Sequence, residues 1–186
     1  MTWTKAPLGE LLTYIGKGIA PAYTEDYNSN TSVMVLGQKC VRDQKVVYAE
    51  ARFHNEVAKS FKPEKEVLVG DILVNATGVG SAGRVAQVVD IPSRKCITDG
   101  HVITLRASNR IDSIYLGYFV KTKQALIEQM AEGSTGQTEM NRTRLQNEIL
   151  VTFPEDAEDQ RAIAEIGLTF DRKIAVNTKL NGYLAA

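Results

Sequence analysis

Short apolar runs punctuated by Gly, Pro, Asn and Asp fill the first hundred residues, and a longer helical period replaces them afterwards. Strands are predicted at 33–36, 40–48, 67–76, 84–89 and 101–105, where β-branched and apolar residues cluster between turn residues. Within 40–48, Arg42-Asp43-Gln44 is a candidate turn that splits the run into two halves. Residues 7–14 read as a short helix with Pro7 in its first turn, and Gly16 to Pro21 ends it. Residues 23–32 are polar and read as a loop, and 55–61 as a helical turn. From 112 to 132, Ile114, Tyr118, Ala125 and Met130, with Leu116, Phe119, Leu126 and Ile127, fit one broad helical face. Gly133-Ser134-Thr135-Gly136 stops it, followed by a short helix at 141–147 and a strand at 149–153. After Pro154, apolar residues recur at spacings of three and four in Ile163, Ile166, Phe170, Ile174, Leu180 and Leu184. This predicts one helix of about 26 residues, roughly 39 Å long. Acids crowd its first turn, where they complement the helix dipole. Its apolar stripe needs a cover, either its own domain or a second long helix.

One loop invites a different chemistry. VNATGVGSAGRV, residues 74–85, contains Gly78, Gly80 and Gly83 in the spacing G-x-G-x-x-G. A dinucleotide loop needs its last glycine to open a helix whose N-terminus holds the pyrophosphate. The residues after Gly83 include Val85, Val88 and Val89 and stop at Pro92, which favours a strand. The better local reading is two strands joined by a Gly-rich loop, with surface recognition or a plain solvated turn both open.

Composition narrows the picture. The 186 residues carry 22 Lys+Arg and 22 Asp+Glu, so net charge does not advertise a nucleic-acid binder. The body to Phe153 holds 18 basic and 16 acidic residues, and the remainder 4 and 6. Cys40 and Cys96 sit at no metal-ligand spacing and read as core residues. No segment has the length of apolar residues that a membrane span needs, and the chain is expected to be cytoplasmic. His54 and His101 lack partners at metal spacing, and no nucleophile elbow or P-loop occurs. His101 reads as a hydrogen-bonding strand residue. No catalytic or metal-ligating residue is expected, so a binding protein is favoured over an enzyme.

Several segments, in order, resemble one family: the DNA specificity subunits of type I restriction–modification systems. They are LGELLTYIGKGIAP near the start, GDILVNATGVGSAGRVA (70–86), TDGHVITLR (98–106), YLGYFV (115–120), GSTGQTEM (133–140), Leu145 with a strand ending in Phe153-Pro154, and DQRAIAEIGLTFDRKI (159–174). The resemblance implies an α+β fold, with a mixed-sheet target recognition domain at 1–154. A conserved spacer and dimerisation helix at 155–186 would pack antiparallel on a second copy. It implies a non-catalytic subunit that reads one half of a bipartite site on double-stranded DNA. A methyltransferase subunit and a motor-nuclease subunit are the implied partners, and S-adenosylmethionine, ATP and magnesium would belong to them. Complete family members carry two recognition domains and two helices. This chain shows one of each, so it is either a natural half-subunit, which would act as a homodimer, or half of a longer protein. Two alternatives are the recognition module of a restriction–methylation fusion and a small nucleotide-dependent enzyme built on GVGSAG.

On this reading the loop glycines let backbone approach DNA closely. Asn75, Thr77 and Ser81 on the first Gly-rich loop, and Ser134, Thr135 and Gln137 on the second, are candidate hydrogen-bonding contacts. Lys17, Lys39, Arg42, Arg84, Arg142 and Arg144 are candidate phosphate or guanine contacts.

Overall fold

A computed structural model describes residues 2–132 and 139–184. The chain opens with β1 (Trp3–Pro7), a 3-10 turn at Leu8–Leu11, β2 (Leu12–Lys17) and β3 (Tyr23–Thr24). There follow β4 (Ser32–Leu36), β5 (Val41–Arg42), β6 (Lys45–Val46), β7 (Arg52–Asn55), β8 (Ile72–Asn75) and β9 (Val85–Gln87). Next come β10 (Cys96–Thr98), β11 (Val102–Ala107), α1 (Ser113–Thr122) and α2 (Gln124–Gln129). The last elements are β12 (Ala131–Glu132), β13 (Glu139–Met140), α3 (Arg142–Glu148), β14 (Leu150–Pro154) and α4 (Ala157–Leu184). The fold is α+β with mixed sheets and a long C-terminal helix, as the sequence suggests.

Two four-stranded sheets carry the body. One runs β2-β11-β8-β9 and is antiparallel throughout. The other runs β10-β4-β7-β3, with β10 parallel to β4 and the remaining pairs antiparallel. Strand alternation sorts their side chains into three cores. Ile72, Val74, Ile103 and Leu105 face the helices and the β1–β14 ribbon, and pack with Leu116, Val120, Ile127 and Leu145. Leu73, Ala86 and Val102, on the opposite face, meet Met34, Leu36 and Cys96 of the second sheet and Cys40 of the turn that follows β4. Val33, Val35 and Ile97 point outward from that sheet and pack with Ile19 and Phe61. Both thiols are buried, and burial pushes the pKa of Cys96 up to about 12.

Four expectations need correction. Residues 7–14 are not a helix: Leu8 and Leu11 sit three apart and mimic a helical face, but they plug the core from a 3-10 turn between two strands. Strand β7 has His54 as its buried member, so its sequence lacks the apolar alternation that predicts a strand. His54 is satisfied there, because Nδ1 accepts from the Ala22 amide at 2.9 Å and Nε2 lies 2.7 Å from the Lys59 carbonyl. The helix expected at 112–132 breaks at Lys123 (φ −95°, ψ 3°) into α1 and α2. The nucleotide-loop alternative also fails, since β9 follows Gly83 and pairs back on β8 as a hairpin. Gly78, Gly80 and Gly83 all adopt positive φ, so the spacing serves a tight strand connection. The Asp43-Gln44 turn is as expected, with φ values of 51° and 60° between β5 and β6.

The start of α4 is fixed to the body. Gln160 is 1% exposed; its Oε1 accepts from the Asp112 amide at 2.7 Å and its Nε2 donates to the Pro154 carbonyl at 2.8 Å. Asp112 in turn caps α1 by accepting from the amides of Ile114 and Tyr115. The Tyr118 hydroxyl donates to Asp171 at 2.6 Å, and Gly167 lies under the Tyr118 ring.

Candidate nucleic-acid interface

The C-terminal ends of β4, β8 and β10 meet at one place. The Asp99 amide, just past β10, donates to the Leu36 carbonyl at the end of β4. The Ala76 amide, just past β8, donates to the His101 carbonyl at 2.7 Å. Three turns therefore leave the sheets side by side: Gly37 to Lys39, Thr77 to Gly83, and Asp99 to His101. A side-chain chain links them. Gln38 Nε2 donates to the Thr77 hydroxyl, and Thr77 Oγ1 lies 2.9 Å from His101 Nδ1. With Thr77 Oγ1 already accepting, its own proton is free to point at the histidine nitrogen.

The residues that follow the second Gly-rich segment reach the same place. Glu139 and Met140 meet the first loop through a Thr77–Glu139 β-bridge and a 2.6 Å bond from the Met140 amide to the Ala76 carbonyl. Lys17 forms an ion pair with Glu139 and, together with its hydrogen bond, holds that carboxyl below the usual carboxylate range. Arg142 stands exposed beside it, at the start of α3.

Next to this junction is an open cleft of about 490 Å³, lined by Val35, Gly37, Gln38, Lys39, Arg52, Asp99 and His101 among others. Its wall carries a stacked pair, with the Arg52 guanidinium carbon 3.5 Å from the centroid of the Tyr23 ring. The Tyr23 hydroxyl donates to Asp99 Oδ2 at 3.4 Å, and Asp99 Oδ1 accepts from the His101 amide at 2.9 Å. Burial, followed by the neighbouring Asp99 carboxylate, raises the Tyr23 hydroxyl above its ordinary pKa, so it remains a donor at neutral pH. The cleft offers an amide, two cations, an imidazole and carboxylates on one open surface. That mixture suits base edges and phosphates better than a closed reaction centre.

The sequence-selected residues divide. Thr77, Ser81, Lys17, Lys39 and Arg142 lie on the elements that meet here. Asn75 does not stand on the surface: it is 0% exposed, and Nδ2 donates to the Gln38 carbonyl at 3.1 Å. Its Oδ1 is buried with no hydrogen-bond partner among the described residues. Asn75 thus positions Gln38, and its polarity alone could not distinguish the two roles. Arg84 folds back to donate to the Gly80 carbonyl at 2.8 Å and braces its own loop. Arg144 pairs with Glu148 along α3, while Arg42 sits on the β5–β6 hairpin, whose tip residue Gln44 reaches the Lys121 carbonyl. Ser134, Thr135 and Gln137 lie outside the described residues. Gln38, Arg52, Tyr23 and Asp99 escaped sequence reasoning because they are adjacent only after the strand ends converge. Among the described residues there is no cluster of His, Cys, Asp and Glu able to hold a metal, and no helix long and apolar enough to cross a membrane.

The chain belongs to the family of the type I restriction modification DNA specificity domain, which it matches over residues 1–184. Its fold is similar to the S subunit of the type I restriction-modification system from M. genitalium, at 20% identity and a TM-score of 0.64, over 96% of this chain and 41% of that one. It is also similar to the HsdS subunit from Thermoanaerobacter tengcongensis, at 16% identity and a TM-score of 0.62, over 95% of this chain and 39% of that one. A third similar structure comes from work on complex assembly and conformational transition of the type I R-M system, at 18% identity and a TM-score of 0.67, over 95% and 40%. The chain thus spans about two fifths of the length of these solved chains. No curated protein sequence matches it.

Proposed function

We propose that the chain is the DNA-reading, non-catalytic subunit of a type I restriction–modification complex. Residues 1–154 read one half of a bipartite target, and the segment 155–186, which contains α4 (Ala157–Leu184), supplies the spacer helix that docks the methyltransferase subunits. S-adenosylmethionine, ATP and magnesium act on the methyltransferase and motor-nuclease partners. The observation that carries this reading is the family match over 1–184. The convergence of Thr77, Gln38, His101 and Glu139 on one end of the body gives the reading a surface. The chain's balanced charge leaves few phosphate contacts to the recognition domain itself, so affinity rests on partner subunits.

The outer stripe of α4 supports pairing with a second copy. Ile166, Phe170, Ile174, Leu180 and Leu184 are all more than half exposed. Two antiparallel copies would make a self-complementary, two-fold interface. The 28-residue helix is about 42 Å long, slightly more than the roughly 34–36 Å of one DNA turn. It would set the spacing between two inverted half-sites.

The test is to co-express the chain with a type I methyltransferase subunit and measure duplex binding of the purified complex against salt. A stable complex with steep salt dependence and preference for particular sequences over bulk competitor DNA is expected. Failure to associate, or equal affinity for all duplexes, contradicts the reading.

A further inference from the structure

Within the cleft, Arg52 differs from two other arginines close to the junction, Arg84 and Arg144; Arg142, exposed at the start of α3, does not line this cleft. Arg84 is spent on a backbone carbonyl of its own loop, and Arg144 on Glu148. Arg52 forms no ion pair among the described residues, although Asp99 and Glu50 line the same cleft. Its guanidinium carbon instead lies over the Tyr23 ring, 3.5 Å from the ring centroid. Each layer beneath it is held. The Tyr23 hydroxyl donates to Asp99, and Asp99, 6% exposed, is tied down by the His101 amide. Register places Arg52 opposite Val35, and Tyr23 opposite His54 two residues further along β7. Arg52 and Tyr23 therefore project from the same outward face, beside the turns that carry Gln38 and His101.

A guanidinium stacked on a ring keeps its in-plane N–H donors available while its plane is fixed. Two of those donors match the O6 and N7 acceptors of guanine in the major groove, a pairing that an ammonium cannot reproduce with the same geometry. A phosphate contact would need only the charge.

We propose that Arg52, oriented by Tyr23, is a guanine-specifying residue of the recognition surface. This rests on the DNA-reading function above, and adds which residue reads which base.

The test uses the full chain in complex with its methyltransferase subunit, selecting duplexes from a randomised library at fixed salt. The wild-type complex is expected to enrich a motif that contains a guanine lost on substitution of Arg52. Arg52→Ala and Arg52→Lys should both reduce discrimination at that one position, and at its inverted copy, by about tenfold to a hundredfold. Other positions and the salt slope should be unchanged. Tyr23→Ala should weaken preference at the same position, by less. Arg52 is exposed, so thermal unfolding of its variants should match the wild type; if Arg52→Ala unfolds, Arg52→Lys carries the test. A uniform loss at every position that Arg52→Lys restores identifies a phosphate contact and overturns the proposal. An unchanged motif in both variants also overturns it. A wild-type complex that enriches no motif sinks the DNA-reading function itself, and this proposal with it.

Discussion

Along α4, Gln160, Ala164, Gly167 and Asp171 touch the body in succession, whereas every residue from Arg172 to Leu184 is exposed. The first half is fixed by the two hydrogen bonds of the buried Gln160 side chain, a tyrosine seated on a glycine, and the packing of Ala164 and Ile163 on the main core. The second half carries Ile174, Val176, Leu180, Tyr183 and Leu184 with no cover among the described residues. The expected single stripe therefore divides. Ile163 belongs to the inner side, while Ile166 and Phe170 already face outward, 61% and 64% exposed. A helical period reports that a face must be covered, but not by what. Polar and small residues made the intramolecular anchor, and the large apolar ones were left over. Burying each of these would be worth about 1.5–3 kcal/mol before the cost of association.

The sharpest way to break this contrast is Gln160→Leu. It strips the partner from the Asp112 amide and from the Pro154 carbonyl, both at the root of the helix. An unsatisfied buried backbone group costs about 1–3 kcal/mol, so a loss of about 3 kcal/mol is expected in urea unfolding at fixed protein concentration. A loss below about 1 kcal/mol would mean the anchor is elsewhere.

Gly167→Val comes next. A Cβ at this position would stand 2.7 Å from the Tyr118 ring. The ring must move, and its bond to Asp171 goes with it. About 2 kcal/mol of destabilisation is expected, in the usual range for overpacking. A fall in the Tyr118 hydroxyl pKa toward its ordinary value, followed by ultraviolet titration, should accompany it, because burial and Asp171 hold that value up. Wild-type stability in this variant would show that the two helices are not in register as described.

Phe170→Glu, on the outer side, should leave the folding of the body within about 0.5 kcal/mol of wild type. Its effect should appear in assembly. The wild type is expected to sediment as a dimer at tens of micromolar and the variant as a monomer. A monomeric wild type under those conditions would remove self-association through this stripe.

The parts of the fold legible in the sequence are those where one residue pattern had one physical meaning. β4, β8 and β11 are apolar runs between turn residues, and α4 has a long unbroken period. The hairpin β5–β6 was legible from its Asp43-Gln44 turn. β1, β2 and β7 were not, because Leu8 and Leu11 imitate a helix and a buried histidine replaces an apolar residue. For the site, glycines marked the Thr77 loop, but Asn75 and Thr77 are chemically alike as candidates and only burial separates them. Gln38 and Thr77 are 39 positions apart, and Thr77 and His101 are 24 apart. No local spacing signals such a junction; it exists because strands β4, β8 and β10 end together.

The most direct test is to map every modified site in cells that express this chain with a type I methyltransferase subunit and no other modification system. Methylation confined to one bipartite motif is expected, with two inverted copies of a single half-site separated by a spacer of fixed length. Methylation without sequence preference, or none from a methyltransferase shown to be bound and competent, would contradict a DNA-specifying role for this chain.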